Sequence, residues 1–199
     1  MFDISLVFSV LPALGKGALL TLKLTALVIV LGTLLAFPVA LARNSASAWL
    51  RGSANAYVMF FRGTPSLVQV FLLYYGASQF EAIQRSALWP VLRDPFWCVV
   101  IALGLNSASY TGKTLAAALA AVPKSLREAS FSLGLSRPQA FLTVSLPLAL
   151  RAGLPAYGNE IILACKATSL ASTVTLLDLT GTARFLSSET YALSAPIQF

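Results

Sequence analysis

Histidine is absent from all 199 residues. That absence removes imidazole metal sites, Ser-His-Asp triads and histidine proton relays together. Charge is scarce as well. Lysine, arginine, aspartate and glutamate make up 11% of the chain, where a soluble domain carries about 25%. The two cysteines, Cys98 and Cys165, each lie in an apolar run and form no CxxC pair; both read as buried hydrophobes that report nothing about redox compartment. No GxxxxGK[ST] loop occurs, so the chain lacks that means of holding nucleotide phosphates. Between Met1 and Leu14 there is Asp3 but no basic n-region; an interfacial helix leading into a first span is expected there in place of a cleaved leader.

What remains is mostly hydrocarbon. Hydrophobic residues make up 57% of the sequence and the mean hydropathy is +0.79, which places the chain in the membrane class. The formal net charge is +7, but the basic residues sit between apolar runs. That pattern suits cytoplasmic loops and anionic lipid, and no basic stripe with interleaved aromatics points to nucleic acid.

Four spans are expected. The first is Leu24–Ala42, uncharged and roughly 29 Å long as a helix, enough for a hydrocarbon core; it starts as early as Gly17 if Lys23 snorkels, and Pro38 is placed to kink its end. The second runs from Ala54 to Gly76, interrupted by Arg62-Gly63-Thr64-Pro65. The third runs from Phe96 to Val122 and carries Asn106, Ser107, Ser109, Tyr110, Thr111 and Lys113 in its middle, a cluster that a lipid-facing helix does not carry. From Pro123 to Arg151 the pattern reads as a short amphipathic helix, a turn at Gly134 and a second helical stretch toward Pro147. The fourth span is Ala152–Ala167, with a short helix expected around Leu176–Ser187. Basic residues dominate the connections after spans one and three, whereas the connection after span two is neutral. The first and third connections therefore face the cytoplasm and the N-terminus faces outside.

Several polar residues stand out. Asn106 and Tyr110 are four apart, on one helix face, and Lys113 continues that face; substrate contact and helix–helix hydrogen bonding are both open for the first two. Lys113 lies about 14 Å from the cytoplasmic end of its helix, so it either faces a pathway or pairs with an acid such as Glu160. Asn159 and Glu160 line a cavity or form a polar pair at a helix end. Arg62, roughly 12 Å into its helix, is read as held by carbonyls or by Glu160 ahead of substrate.

Glu128-Ala129-Ser130, then Gly134, then Leu146-Pro147 resembles the EAA motif of ABC-importer permeases, with Ser130 in place of an alanine. Phe61–Pro65 resembles the RGTP segment of polar amino-acid permeases, Leu105–Tyr110 their LN-x-x-x-Y segment, Leu154–Glu160 their LP-x-x-x-NE segment, and Lys166–Ser172 their K-x-TSLAS segment. Order and spacing are kept from about Gly17 to Tyr191. YYGASQF, WPVLRDPFWC and SSETY look most like the histidine, arginine and opine branch.

The resemblance implies an all-α polytopic membrane protein with the type I ABC-importer permease fold. The whole chain, 1–199, is then a single transmembrane permease domain with a cytoplasmic coupling loop at about 123–147, in a bacterial inner membrane. Glu128, Ala129 and Gly134 would couple to the ATPase, and Asn106, Tyr110, Lys113, Asn159 and Glu160 would line the substrate pathway. The implied partners are ABC ATPase subunits, a second permease (a paralogue or a second copy), an extracytoplasmic solute-binding protein, and an amino acid or opine as cargo. No cofactor is expected in this chain, since ATP and magnesium belong to the partner ATPase, and the chain is not itself an enzyme. Two departures from the family pattern stand out: Lys113 occupies a position where an acid is common, and a fifth, C-terminal helix is expected but missing. The rival class is a secondary amino-acid transporter not driven by ATP, which calls for inverted repeats or an ionisable relay; neither is evident. An intramembrane hydrolase has only Ser109 with Lys113 as a formal pair.

Overall fold

A computed structural model describes residues 4–194; Asp3 and the segment after Ser194 lie outside the described residues. The described residues are helical throughout, with no strand among them. The order is α1 (Ile4–Arg43), α2 (Ala48–Gly63), α3 (Ser66–Phe71), α4 (Glu81–Gln84), α5 (Trp89–Leu92), α6 (Pro95–Ala121), α7 (Lys124–Ser132), α8 (Arg137–Ala140), α9 (Leu146–Ala167) and α10 (Leu179–Ser194). π-helical turns at Leu72–Gly76 and Phe141–Ser145 extend α3 and join α8 to α9, and a 3-10 stretch, Thr168–Val174, follows α9.

The first helix is far longer than the apolar run that predicts it. It covers 40 residues, roughly 60 Å, and runs unbroken through Pro12 and Pro38. No helix boundary separates an interfacial segment from the span; the helix runs through Gly15 and Gly17 without a break. Two helical segments are long and apolar enough to cross a membrane, Val10–Arg43 and Arg137–Val174, and a third is obtained if the broken pair Ala48–Gly63 and Ser66–Gly76 counts as one span. The third expected span, α6, is 27 residues long but falls outside that group among the described residues. Its central polar cluster dilutes its apolarity, so its place among the spans rests on the company it keeps.

Prolines mark two adjustments. α2 ends at Gly63 and α3 begins at Ser66, so Thr64-Pro65 breaks the second span in two. Near Pro147 the outcome differs from the expected helix end. The helix continues, and the π-helical turn at Phe141–Ser145 lies just before the proline, where the widened turn eases the clash of its ring with the preceding turn.

The chain divides by contact into two compact units. One comprises residues up to Val28, Leu67–Leu103 and the segment from Ala164 onward. Within it Gly17 lies against α10 so closely that an added Cβ would stand 2.7 Å from Thr182 Oγ1. The Leu179 amide donates to Thr21 Oγ1 at 3.1 Å, and buried Asp178 accepts from the Gly181 amide at 2.8 Å, capping α10. That helix starts three residues later than the sequence suggests, because Thr175, at φ 68°, ends the 3-10 stretch first. Cys98 is buried here, but Cys165 is exposed; an apolar run around a membrane helix contains outward positions as well as inward ones.

The other unit comprises Ile29–Ser66 and Gly104–Leu163. Its core joins Ala40 of α1, Leu115, Ala116, Ala118 and Leu119 of α6, and Ala149 of α9. Small residues let these backbones approach: a Cβ on Gly112 would stand 2.8 Å from Val39 Cγ1, the spacing rule of helices packed in lipid. The outward faces stay apolar, with Leu34, Met59, Leu142 and Leu154 all well exposed.

Candidate functional site

The polar residues of the second unit gather where α1, α2, α6 and α9 supply side chains. Asn106 donates its amide to the Phe61 carbonyl at 3.0 Å, and Tyr57 donates its hydroxyl to the Leu105 carbonyl at 2.6 Å. Both bonds tie α2 to α6. The guanidinium of Arg62, in the last turn of α2, lies 4.8 Å from the Tyr110 ring centroid, a cation–π distance.

Glu160 belongs to the same group. The Ser107 hydroxyl donates to its carboxylate, and the charge of Arg62 acts on it. The Arg62–Glu160 separation exceeds contact range, since the ion pair within 4 Å among the described residues is Arg85–Glu81, on an exposed loop helix. Ser107 is buried because Gly32 of α1 sits against it: a Cβ there would stand 2.9 Å from the Ser107 hydroxyl oxygen. Farther along, Thr33 and Tyr157 share a hydroxyl–hydroxyl hydrogen bond of 2.6 Å at one edge of an apolar cavity of about 280 Å³ between α1, α6 and α9.

Of the residues that the sequence singles out for the pathway, the structure groups Asn106, Tyr110 and Glu160 around Arg62. Lys113 and Asn159 are exposed. The expected pairing of Lys113 with Glu160 is not formed; Arg62 and Ser107 are the carboxylate's neighbours. The helix register explains this, because Lys113 is nearly two turns beyond Ser107 on α6. Ser107, Tyr57, Thr33 and Tyr157 were not singled out as site residues. For Ser107 a signal was available in its place beside Asn106 in the polar cluster of the third span. For Tyr57 and Thr33 nothing in the local pattern separates them from an ordinary apolar helix.

Beyond α6, α7 stops at Ser132 and the Gly134 amide donates to the Phe131 carbonyl at 2.9 Å. Gly134 has φ +81°, the left-handed conformation expected of a glycine that terminates a helix. Ser136 then opens α8 with a capping box completed by Gln139. Glu128, Ala129 and Gly134 are all exposed, as are Leu126, Phe131 and Leu133. The segment is a rigid helix–turn–helix with a free, partly apolar outer surface.

Residues 28–196 match the sequence profile of a family described as "Binding-protein-dependent transport system inner membrane component". The chain is 44% identical over 190 residues to the octopine transport system permease protein OccM of Rhizobium radiobacter, covering 96% of this chain and 78% of the relative. It is 39% identical to the nopaline transport system permease protein NocM of Agrobacterium fabrum, over 96% and 79% of the two chains. With the arginine ABC transporter permease protein ArtM of Haemophilus influenzae it shares 41% identity, over 88% and 77%. Among solved structures, a crystal structure of an amino acid ABC transporter with histidines superposes at a TM-score of 0.81 with 33% identity, covering 96% of this chain and 85% of that one. The MetNI methionine ABC transporter in inward-facing conformations gives 0.63 at 17% identity, over 90% of each chain, and so shares the fold alone.

Proposed function

Since the chain belongs to the family of inner-membrane components of binding-protein-dependent transport systems, we propose that it is the permease subunit of an ATP-driven importer for opines or polar amino acids in a bacterial inner membrane. It works with separate ATPase subunits, a second permease and an extracytoplasmic binding protein. The observation that carries this reading is the exposed helix–turn–helix at Lys124–Ala140, closed by a left-handed Gly134. A short helix presenting Glu128 and Ala129 beside Leu126 and Leu133 is suited to seat in a groove of a cytoplasmic partner. Its glycine turn ends that helix abruptly, and the capping box of Ser136 with Gln139 starts the next one at once, so both helices can follow a rigid-body movement of the partner.

The pathway side of this reading rests on Glu160, Tyr110, Asn106 and Arg62. Amino acids and opines carry both charges, so a pathway for them needs a carboxylate for the cationic end and a cation for the carboxylates. Glu160 supplies the first. Arg62 lies beside it, and Lys113, exposed one turn beyond Tyr110, supplies a second positive site. Asn159 completes the polar edge of α9.

The test is reconstitution into proteoliposomes with ATPase, second permease and binding protein, and measurement of labelled octopine and arginine uptake. ATP-dependent uptake that disappears when this chain is left out supports the assignment. Uptake driven by an ion gradient without ATP overturns it.

A further inference from the structure

Below the polar cluster lies a second, larger hollow, of about 460 Å³, at the cytoplasmic end of the second unit. Leu41 and Asn44 at the end of α1 and Leu119 near the end of α6 form one wall. Arg127 and Phe131 of α7, Arg137 of α8 and Phe141 also line it. The Asn44 amide is already used, donating to the Ala40 and Ala116 carbonyls at 3.1 and 3.0 Å, which pins the ends of α1 and α6 together and fixes that wall. Arg127 and Arg137 have no carboxylate within 4 Å among the described residues, and no acidic residue lines the hollow.

We propose that this hollow is a binding site for the phosphate headgroup of an anionic phospholipid of the cytoplasmic leaflet. Three features point to lipid. Two arginines line one small space with no carboxylate within 4 Å among the described residues, and guanidinium is the side chain best matched to a phosphate's oxygens. Leu41 and Leu119 stand at the cytoplasmic ends of membrane helices and line the same space, so it opens at the boundary between hydrocarbon and water. Basic pockets between membrane helices on that side are suited to anionic headgroups. A free phosphate would satisfy the arginines but leave the exposed Leu41 side chain facing water. A diacyl headgroup satisfies both.

This site is independent of the transported substrate. It would tie the coupling segment, α7 and α8, to the leaflet through its own ligand, so that the helix–turn–helix is braced against lipid as well as against the helix ends.

The probe is native mass spectrometry of the purified full chain titrated with phosphatidylglycerol, phosphatidylcholine and inorganic phosphate. Retention of phosphatidylglycerol at least tenfold above phosphatidylcholine is expected, with inorganic phosphate at millimolar concentration failing to displace it. Retention should fall about tenfold in Arg127→Gln/Arg137→Gln and survive in Arg127→Lys/Arg137→Lys. A charge-matched control, Arg85→Gln/Arg93→Gln, should leave it unchanged. Equal loss in that control means that net charge alone holds the lipid, and the proposal falls. Displacement by inorganic phosphate overturns the lipid source. If the Arg127/Arg137 variants keep lipid but lose co-purifying ATPase, the arginines serve protein docking and the proposal is wrong.

Discussion

The Arg62 guanidinium lies 4.8 Å from the centre of the Tyr110 ring, so a charge at the broken end of α2 is held by an aromatic face on α6. Such a contact is worth about 0.5–2 kcal/mol, the upper end when water is excluded. It holds Arg62 where its field reaches Glu160 without an ion-pair contact that would neutralise both groups.

Replacing the ring tests the contact. Tyr110→Leu should lower the thermal midpoint of the detergent-solubilised protein by a few degrees and weaken uptake, whereas Tyr110→Phe should stay near wild type. Equal losses in both variants would assign the effect to the hydroxyl.

Packing under the site is equally specific. Gly32→Leu puts a branched side chain where a Cβ alone would already stand 2.9 Å from Ser107 Oγ. Overpacking of this kind costs about 1–3 kcal/mol, and here it also displaces the donor to Glu160. Reduced thermal stability together with reduced uptake is expected. A variant with unchanged midpoint would show that α1 and α6 separate at no cost.

Gly134→Val forces a β-branched residue into a φ of +81°, at a cost of about 1–2 kcal/mol for leaving the right-handed region. The protein should insert and bind its ATPase weakly, with ATP-driven uptake reduced tenfold or more. Gly134→Asn should lose less, since asparagine tolerates that conformation. Normal transport by the valine variant would remove the coupling role from this turn.

Lys113 separates pathway from packing. Lys113→Glu should reduce opine uptake more than arginine uptake, because an opine brings more carboxylate to the same place, and Lys113→Met should lie between. Identical uptake of both substrates in both variants would leave Lys113 a lipid- or water-facing residue.

Orientation is tested with single cysteines on a Cys98→Ala/Cys165→Ala background. Ser47→Cys and Ser136→Cys should react with an impermeant thiol reagent only after the cells are opened, and Ser86→Cys in intact cells. Replacing Cys165 matters, because it is exposed and would label by itself.

The helical class was legible because apolar runs of span length have one reading, and the Gly134 turn was legible because glycine after a short amphipathic helix has a local physical cause. Helix boundaries were less so. The start of α1 and the passage of α9 through Pro147 depend on what packs around each segment, and a π-helical turn leaves no pattern in the residues that form it. The site was half legible. Asn106, Tyr110 and Glu160 betray themselves as polar groups in apolar company, but which charge Glu160 meets is a matter of helix rotation. Helix rotation depends on every neighbour at once, and of the two cations that the sequence offered to Glu160 it is Arg62, not Lys113, whose charge acts on it.

Glu160 shares one unbroken stretch of helix with Arg137, three residues beyond the Gly134 turn. From Arg137 to Glu160 the backbone has no non-helical residue, and at 1.5 Å per residue this makes an arm of roughly 35 Å. A tilt of about 3° at the α8 end swings the far end by about 2 Å over that length, the difference between a hydrogen bond and none. The Ser107 hydrogen bond to the carboxylate is therefore sensitive to the angle at which the α8 end of this lever is held.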